Sequence, residues 1–192
     1  MLEETGLPYE VHVVDIEKGD QSRPEFLALN PNSKIPVIVD PDRSRTVFES
    51  GAILFYLADR SGMLKPDGPE ETSTLQWVLF QAAHVGPMIG QLWHFKLSAK
   101  EKLPYAIERY ERETARILRV LDGELARRPY LVGVSYGIAD VMTWPWINAL
   151  PKLGVMLDAT PHLQRWHAEI AARPAVQRGL AVPVLHEQGA AA

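Results

Sequence analysis

Asn30-Pro31-Asn32-Ser33-Lys34-Ile35-Pro36-Val37-Ile38-Val39-Asp40 decides how this chain folds, because it passes directly from turn to strand. Asn30 to Ser33 is a cluster of turn formers. Ile35 to Asp40 is rich in β-branched residues, with Pro36 at the start, where a missing ladder donor is tolerated. Pro41-Asp42-Arg43-Ser44 then turns the chain into a second run, Arg45-Thr46-Val47-Phe48, which predicts a hairpin. Glu49-Ser50 opens a helix whose apolar positions Ile53, Leu54, Leu57 and Ala58 fall at helical spacing.

Upstream, Tyr9-Glu10-Val11-His12-Val13-Val14-Asp15 alternates apolar and polar residues and predicts another strand. Ser22-Arg23-Pro24-Glu25 has the form of a capping box, opening a short helix through Phe26 and Leu29. Met1-Leu2-Glu3-Glu4-Thr5-Gly6 reads as the last turn of a helix closed by Gly6. So short a helix does not persist in water, so either further turns precede it or it forms only by docking.

Downstream the pattern changes. Residues 61–71 carry two prolines and two glycines and read as a connecting segment. Everything after them reads helical. Thr74 to Phe95 is long and apolar, with a kink expected at Gly86-Pro87. Pro104 to Arg127 is amphipathic, and Ile138 to Leu150 is apolar enough to be buried on every side. Thr160-Pro161 caps and opens a last helix bearing Leu163, Trp166 and Ile170 on one face. The organisation expected is a small α/β domain over 1–64, a linker at 65–71, an all-helical domain over 72–180 and a tail at 181–192.

Composition narrows the chemistry. The chain has 192 residues, 46% of them hydrophobic and 23% charged, which is ordinary for a globular protein. A net charge of −4 gives no basic footprint for nucleic acid. With no cysteine, the chain offers no disulfide, no thiolate metal site and no thiol nucleophile. The acidic start has no secretory signal, and no apolar run approaches the roughly 20 residues that span a bilayer. A cytoplasmic protein without membrane or nucleic-acid partners is expected.

Several constellations admit two readings. Ile35-Pro36 is either an ordinary proline at a strand start or a cis peptide turning the Ile35 main chain toward a bound peptide. Glu49-Ser50 is either an N-cap serine beside a dipole-complementing acid, or an amino-acid head-group site. In the second reading the Ser50 hydroxyl and free N–H groups hold a carboxylate, and Glu49 pairs with the ammonium. Gly133-Val134-Ser135-Tyr136-Gly137 matches a hydrolase nucleophile elbow, with Asp140, Asp158, His162 and His167 following. That elbow requires a strand and a sheet around it, whereas the flanking segments read helical; the alternative is a loop between helices with Gly137 as N-cap and Asp140 at N3 accepting from first-turn N–H groups. The six histidines have no metal-ligand spacing, and no metal is expected. Trp77, Trp93, Phe95, Trp144, Trp146 and Trp166 read mostly as core. Arg109, Arg112, Arg116 and Arg119 among Glu108, Glu111 and Glu113 read as a solvated, salt-bridged face.

Taken together, Asn30 to Pro36, Phe48-Glu49-Ser50-Gly51-Ala52-Ile53 and Ile138-Ala139-Asp140 resemble the glutathione-transferase family. Leu75-Gln76-Trp77, Gly86 to Gln91, Pro104 to Tyr110 and Trp144-Pro145-Trp146 resemble more narrowly its bacterial nu class, which includes glutathione-dependent disulfide-bond reductases. The resemblance covers nearly the whole chain to about Arg178. It implies an α/β thioredoxin-like N-terminal domain and an all-α C-terminal domain, a homodimer, and glutathione or glutathione disulfide as co-substrate without a metal. It implies a cis Pro36 with the Ile35 main chain on the cysteinyl part of glutathione, and Glu49 and Ser50 on the γ-glutamyl end. Gln21, Lys34 and Arg116 are implied as further contacts to glutathione or its disulfide.

Two departures follow from the same resemblance. The family's Ser/Thr cap before Ile138 is Gly137 here. Family members also begin with a strand and a loop bearing the residues that activate the thiol, so the first strand is expected to be missing and every catalytic residue to lie upstream of Met1. The function expected is a glutathione transferase or glutathione-dependent disulfide-bond oxidoreductase using the thiolate of bound glutathione. The alternative is a non-catalytic binding or dimerisation module of the same fold.

Overall fold

The computed structural model describes residues 1–183. The chain forms two compact units, one of Met1–Met63 with the segment from Ala172 onward, the other of Leu64–Ala171.

The first unit is built around a hairpin. Strand β1 (Val37–Asp40) pairs antiparallel with β2 (Arg45–Phe48), in the register Val37↔Phe48 to Asp40↔Arg45. Helix α1 (Leu2–Thr5) closes on Gly6, whose φ of 65° requires the left-handed backbone that glycine adopts freely. Helix α2 is Pro24–Leu27, and α3 is Ser50–Ser61 with Ile53, Leu54, Leu57 and Ala58 buried. The short α1 is held by docking against helix α9 (Pro174–Leu180). Arg173 donates to both carboxylate oxygens of Glu4 at 2.8 Å, and Arg178 donates to Glu3 at 2.6 Å. The Arg173 guanidinium keeps the Glu4 carboxyl below its ordinary range. At the turn end of the hairpin, Asp40 accepts from Tyr56 at 2.6 Å and Arg60 at 3.2 Å, tying β1 to α3.

The strand expected over Tyr9–Asp15 does not form. Its alternation suits a pleated ribbon, but no neighbouring strand among the described residues offers it a ladder, and Tyr9, Val11 and Val13 stand exposed. The capping box at Ser22 is likewise corrected. Ser22 is taken up in the preceding 3₁₀ turn Asp20–Ser22, so Arg23 precedes the helix and no side chain caps it. The helix ends at Leu27, short of Leu29.

The second unit is helical. Helix α4 (Pro69–Phe80) passes through a π-turn (Gln81–Val85) into α5 (Gly86–Trp93) and a second π-turn (His94–Ser98). The expected disturbance at Gly86-Pro87 therefore takes the form of a widened turn just before it, since Pro87 has no N–H to return to the preceding turn. Helix α6 (Pro104–Leu125) buries Ile117, Leu118, Leu121 and Leu125. Helix α7 (Ile138–Ala149) is mostly buried, but Pro145 is exposed, so it is not covered on every side. A proline inside a helix leaves one carbonyl unbonded, and a solvent-facing position lets water meet it. Helix α8 (Pro161–Ala171) buries Leu163, Trp166 and Ile170. Thr160 does not cap it, because its hydroxyl donates back to the Leu157 carbonyl at 2.9 Å. The cap comes from α6, where Asp122 accepts from the His162 and Leu163 N–H groups, each at 2.9 Å.

Asp140 is fully buried and joins three elements. It accepts from the Gly137 and Leu131 N–H groups at 3.0 Å each and from the Trp166 indole at 2.7 Å. Burial pushes its carboxyl up from the ordinary aspartate value, against the pull of those donors.

Candidate functional site

A shallow cleft of about 40 Å³ in the first unit is lined by Asn30, Lys34, Ile35, Pro36, Glu49 and Ser50. Its geometry follows from the hairpin. The last paired residues at this end are Val37 and Phe48, so the next positions along each strand are Pro36 and Glu49, facing each other beyond the ladder. One residue further, Ser50 begins α3, whose first-turn N–H groups precede the first intrahelical bond, from the Ile53 N–H to the Glu49 carbonyl at 2.9 Å.

Each lining residue is fixed by local structure. The Ile35–Pro36 peptide is cis, and Ile35 is half exposed. Glu49 has φ 68° and ψ 121°, a conformation that a residue with a Cβ seldom adopts. It is therefore Glu49 that stands before the helix, while Ser50 is its first residue rather than the N-cap. Neither Glu49 nor Ser50 makes a side-chain hydrogen bond among the described residues. A carboxylate, a hydroxyl and free helix N–H groups thus lie side by side and unspent. That set accepts from an ammonium and donates to a carboxylate, the two ends of an α-amino acid head group. A volume of about 40 Å³ suits such a head group, leaving the remainder of a larger ligand over the exposed Lys34, Ile35 and Pro36.

Asn30 was legible in the sequence only as the end of a short helix. It is 2% exposed, and its side chain donates to the Lys34 carbonyl at 2.7 Å while accepting from the Asn32 N–H at 2.9 Å. The signal that could have found it is an asparagine at the head of a turn cluster, since its amide can close an Asx turn on one side and bond onward on the other.

Gln21 does not line the cleft. Its side-chain amide donates to the Ile16 carbonyl at 3.3 Å, and its main-chain carbonyl accepts from the Ser33 hydroxyl at 2.7 Å. Arg116 belongs to the helical unit. It lines a cavity of about 310 Å³ with Met88, Arg109, Tyr110, Arg112, Glu113 and Arg119. Its guanidinium donates to both oxygens of Glu113, at 3.0 and 2.7 Å, and holds that carboxyl below its ordinary range. Arg112 donates to Glu108 at 2.5 Å, so the arginine-rich face is salt-bridged as expected and also concave.

The nucleophile-elbow reading of Gly133 to Gly137 is overturned. These residues form a loop ahead of α7, with one isolated bridge between Tyr130 and Gly133, and Ser135 is exposed with no sheet behind it. Asp140, the first residue in hydrolase order, is committed to its three donors. Among the described residues no group of three or more histidine or acidic side chains could hold a metal.

Comparison with known proteins assigns both parts of the chain. Residues 1–60 match the family described as glutathione S-transferase, N-terminal domain, and residues 84–174 match glutathione S-transferase, C-terminal domain. The disulfide-bond oxidoreductase YfcG of Escherichia coli (strain K12) is 45% identical over 185 residues, covering 93% of this chain and 86% of the relative. The disulfide-bond oxidoreductase YghU of the same organism is 41% identical over 196 residues, covering 93% and 68%. Among solved structures, a glutathione transferase from Burkholderia graminis with two glutathione molecules per subunit superposes with a TM-score of 0.89. It is 43% identical, with 98% of this chain and 82% of that one covered. A glutathione transferase from Pseudomonas putida with one glutathione disulfide per subunit gives a TM-score of 0.87 at 41% identity, covering 95% and 84%. With a small sheet-bearing domain followed by a helical one, matched over residues 1–60 and 84–174, this chain belongs to the glutathione S-transferase family.

Proposed function

We propose that the chain is a glutathione transferase of the disulfide-bond oxidoreductase kind, holding glutathione in the Asn30–Ser50 cleft and using its sulfur as the nucleophile. The observation that carries this reading is the convergence of Lys34, Ile35, Pro36, Glu49 and Ser50 on one concavity. The names of the relatives, disulfide-bond oxidoreductases and glutathione-bound transferases, support it.

The roles follow from the chemistry of glutathione. Its γ-glutamyl end carries an ammonium and a carboxylate on one carbon. Glu49 pairs with the ammonium, while the Ser50 hydroxyl and the first-turn N–H groups of α3 bind the carboxylate. The Ile35 main chain forms hydrogen bonds with the cysteinyl residue, and Lys34 supplies a cation for the glycyl carboxylate. As further contacts, Gln21 and Arg116, which do not line this cleft, rest on the resemblance alone.

The chain has no cysteine, so every sulfur in the reaction comes from its substrates. The glutathione thiolate attacks one sulfur of a disulfide, the S–S bond breaks, and the departing thiolate takes up a proton. A second glutathione thiolate then attacks the mixed disulfide, releasing the other thiol and leaving glutathione disulfide. Two glutathiones are oxidised for each disulfide reduced. The protein binds and orients the tripeptide. A homodimer in the cytoplasm is part of the same proposal; no described helix is long and apolar enough to cross a membrane.

Calorimetric titration with reduced and oxidised glutathione, paired with a turnover assay on a small symmetric disulfide, tests this. Ser50→Ala and Glu49→Gln are each expected to raise Kd about tenfold, the cost of a charge-assisted hydrogen bond. No heat with the unaltered chain overturns the binding assignment. Tight binding without turnover overturns the catalytic one.

A further inference from the structure

The cleft depends on a loop, Asn30 to Pro36, that belongs to no helix or strand and yet must present main-chain groups to a ligand. Such a loop orders at an entropic cost on binding unless something orders it beforehand. Here one buried side chain, that of Asn30, bonds to the loop at two points. Asn30 is 2% exposed, the most buried residue of the loop, and uses both halves of its amide in opposite directions. Its Oδ1 accepts from the Asn32 N–H at 2.9 Å and its Nδ2 donates to the Lys34 carbonyl at 2.7 Å, while its own carbonyl accepts from the Ser33 N–H at 3.0 Å. Between them Ser33 takes the left-handed conformation, φ 56°, with its hydroxyl donating to the Gln21 carbonyl at 2.7 Å. Aspartate in place of Asn30 would lack the donor, serine would be too short, and glutamine would be one carbon too long.

Resting on the glutathione reading of the cleft, we infer that Asn30 is the positioning residue for that site: its amide fixes the Lys34 carbonyl and so presets the Lys34–Ile35 main chain that faces the cysteinyl residue of glutathione. The Gln21 contribution to binding then runs through its main-chain carbonyl and Ser33, which is consistent with its side chain lying outside the cleft.

The test uses the full chain with Asn30→Ala and the isosteric Asn30→Asp, compared by calorimetry with reduced glutathione and by amide hydrogen exchange over Lys34–Val37. Asn30→Ala is expected to weaken glutathione binding about tenfold and to speed exchange in that segment, with exchange in α6 and α7 unchanged. Asn30→Asp, which keeps the shape and the acceptor, should lose as much affinity at neutral pH. Its Kd relative to the unaltered chain should return toward one near pH 5, where a buried carboxyl regains a proton to donate. A folded Asn30→Ala with Kd within twofold and unchanged exchange would overturn the inference, as would an Asn30→Asp whose relative affinity ignores pH. If the unaltered chain shows no heat with glutathione, the reading of the cleft falls, and the exchange measurement alone decides whether Asn30 presets the loop.

Discussion

Glu49 holds two properties in opposition. Its backbone sits at φ 68°, which costs a residue with a Cβ on the order of 1–3 kcal/mol, and its carboxylate stands open in the cleft. Glycine would relieve the backbone and remove the carboxylate. Glu49→Gly is therefore expected to leave stability unchanged or raise it by about 1 kcal/mol in urea denaturation, while weakening glutathione binding. A variant that lost both together would show that the conformation is not strained. In the sequence, Ile35-Pro36 and Glu49-Ser50 each admitted two readings, and only the resemblance to a family joined them with Lys34 into one set. Asn30 was not legible as part of it, since a turn residue carries no mark of the bonds that its side chain makes beyond the turn.

Among the elements, caps were the least legible feature. Ser22 and Thr160 precede helices and have the right side chains, yet one is absorbed in a 3₁₀ turn and the other bonds backwards. Asp122 caps α8 from forty residues away, and no local pattern could announce that. The alternation of Tyr9–Asp15 shows the same limit, because a strand requires a neighbour as well as a pattern. The widened turn before α5 leaves little room: a Cβ on Gly86 would lie 3.3 Å from the Gln81 side-chain nitrogen and 3.3 Å from the Trp146 indole nitrogen. Gly86→Ala is accordingly expected to destabilise the helical unit by about 1–2 kcal/mol, read as a lower urea midpoint. The α1–α9 junction has a pH dependence of definite sign. Glu4 in the folded chain lies below its ordinary value near 4.5, so its contribution is fully present above that value and is lost as pH falls through the folded value. Stability measured from pH 6 to 3 should decline, and Glu4→Gln should flatten the part that belongs to this pair.

For the whole molecule, the division into a hairpin-bearing part and a helical part was legible from the change in periodicity after residue 61. The placement of α9 was not, because the residues it meets, α1 with Glu3 and Glu4, lie 169 to 175 positions away in the sequence. A property of the entire chain supplies a further check. Lacking cysteine, it should show no added mass and keep its disulfide-reducing turnover after treatment with iodoacetamide and removal of the reagent. A loss of turnover would show that a side chain other than a thiol takes part in the reaction.

The small unit closes on itself through residues from opposite ends of the chain, Met1–Thr5 against Pro174–Leu180. A ribosome making this protein has therefore translated the whole helical part before the partner of the opening turn exists. Until then Glu3 and Glu4 wait without their arginines. A gene fragment stopping near Met63 would encode the entire cleft but not the helix against which its first turn rests.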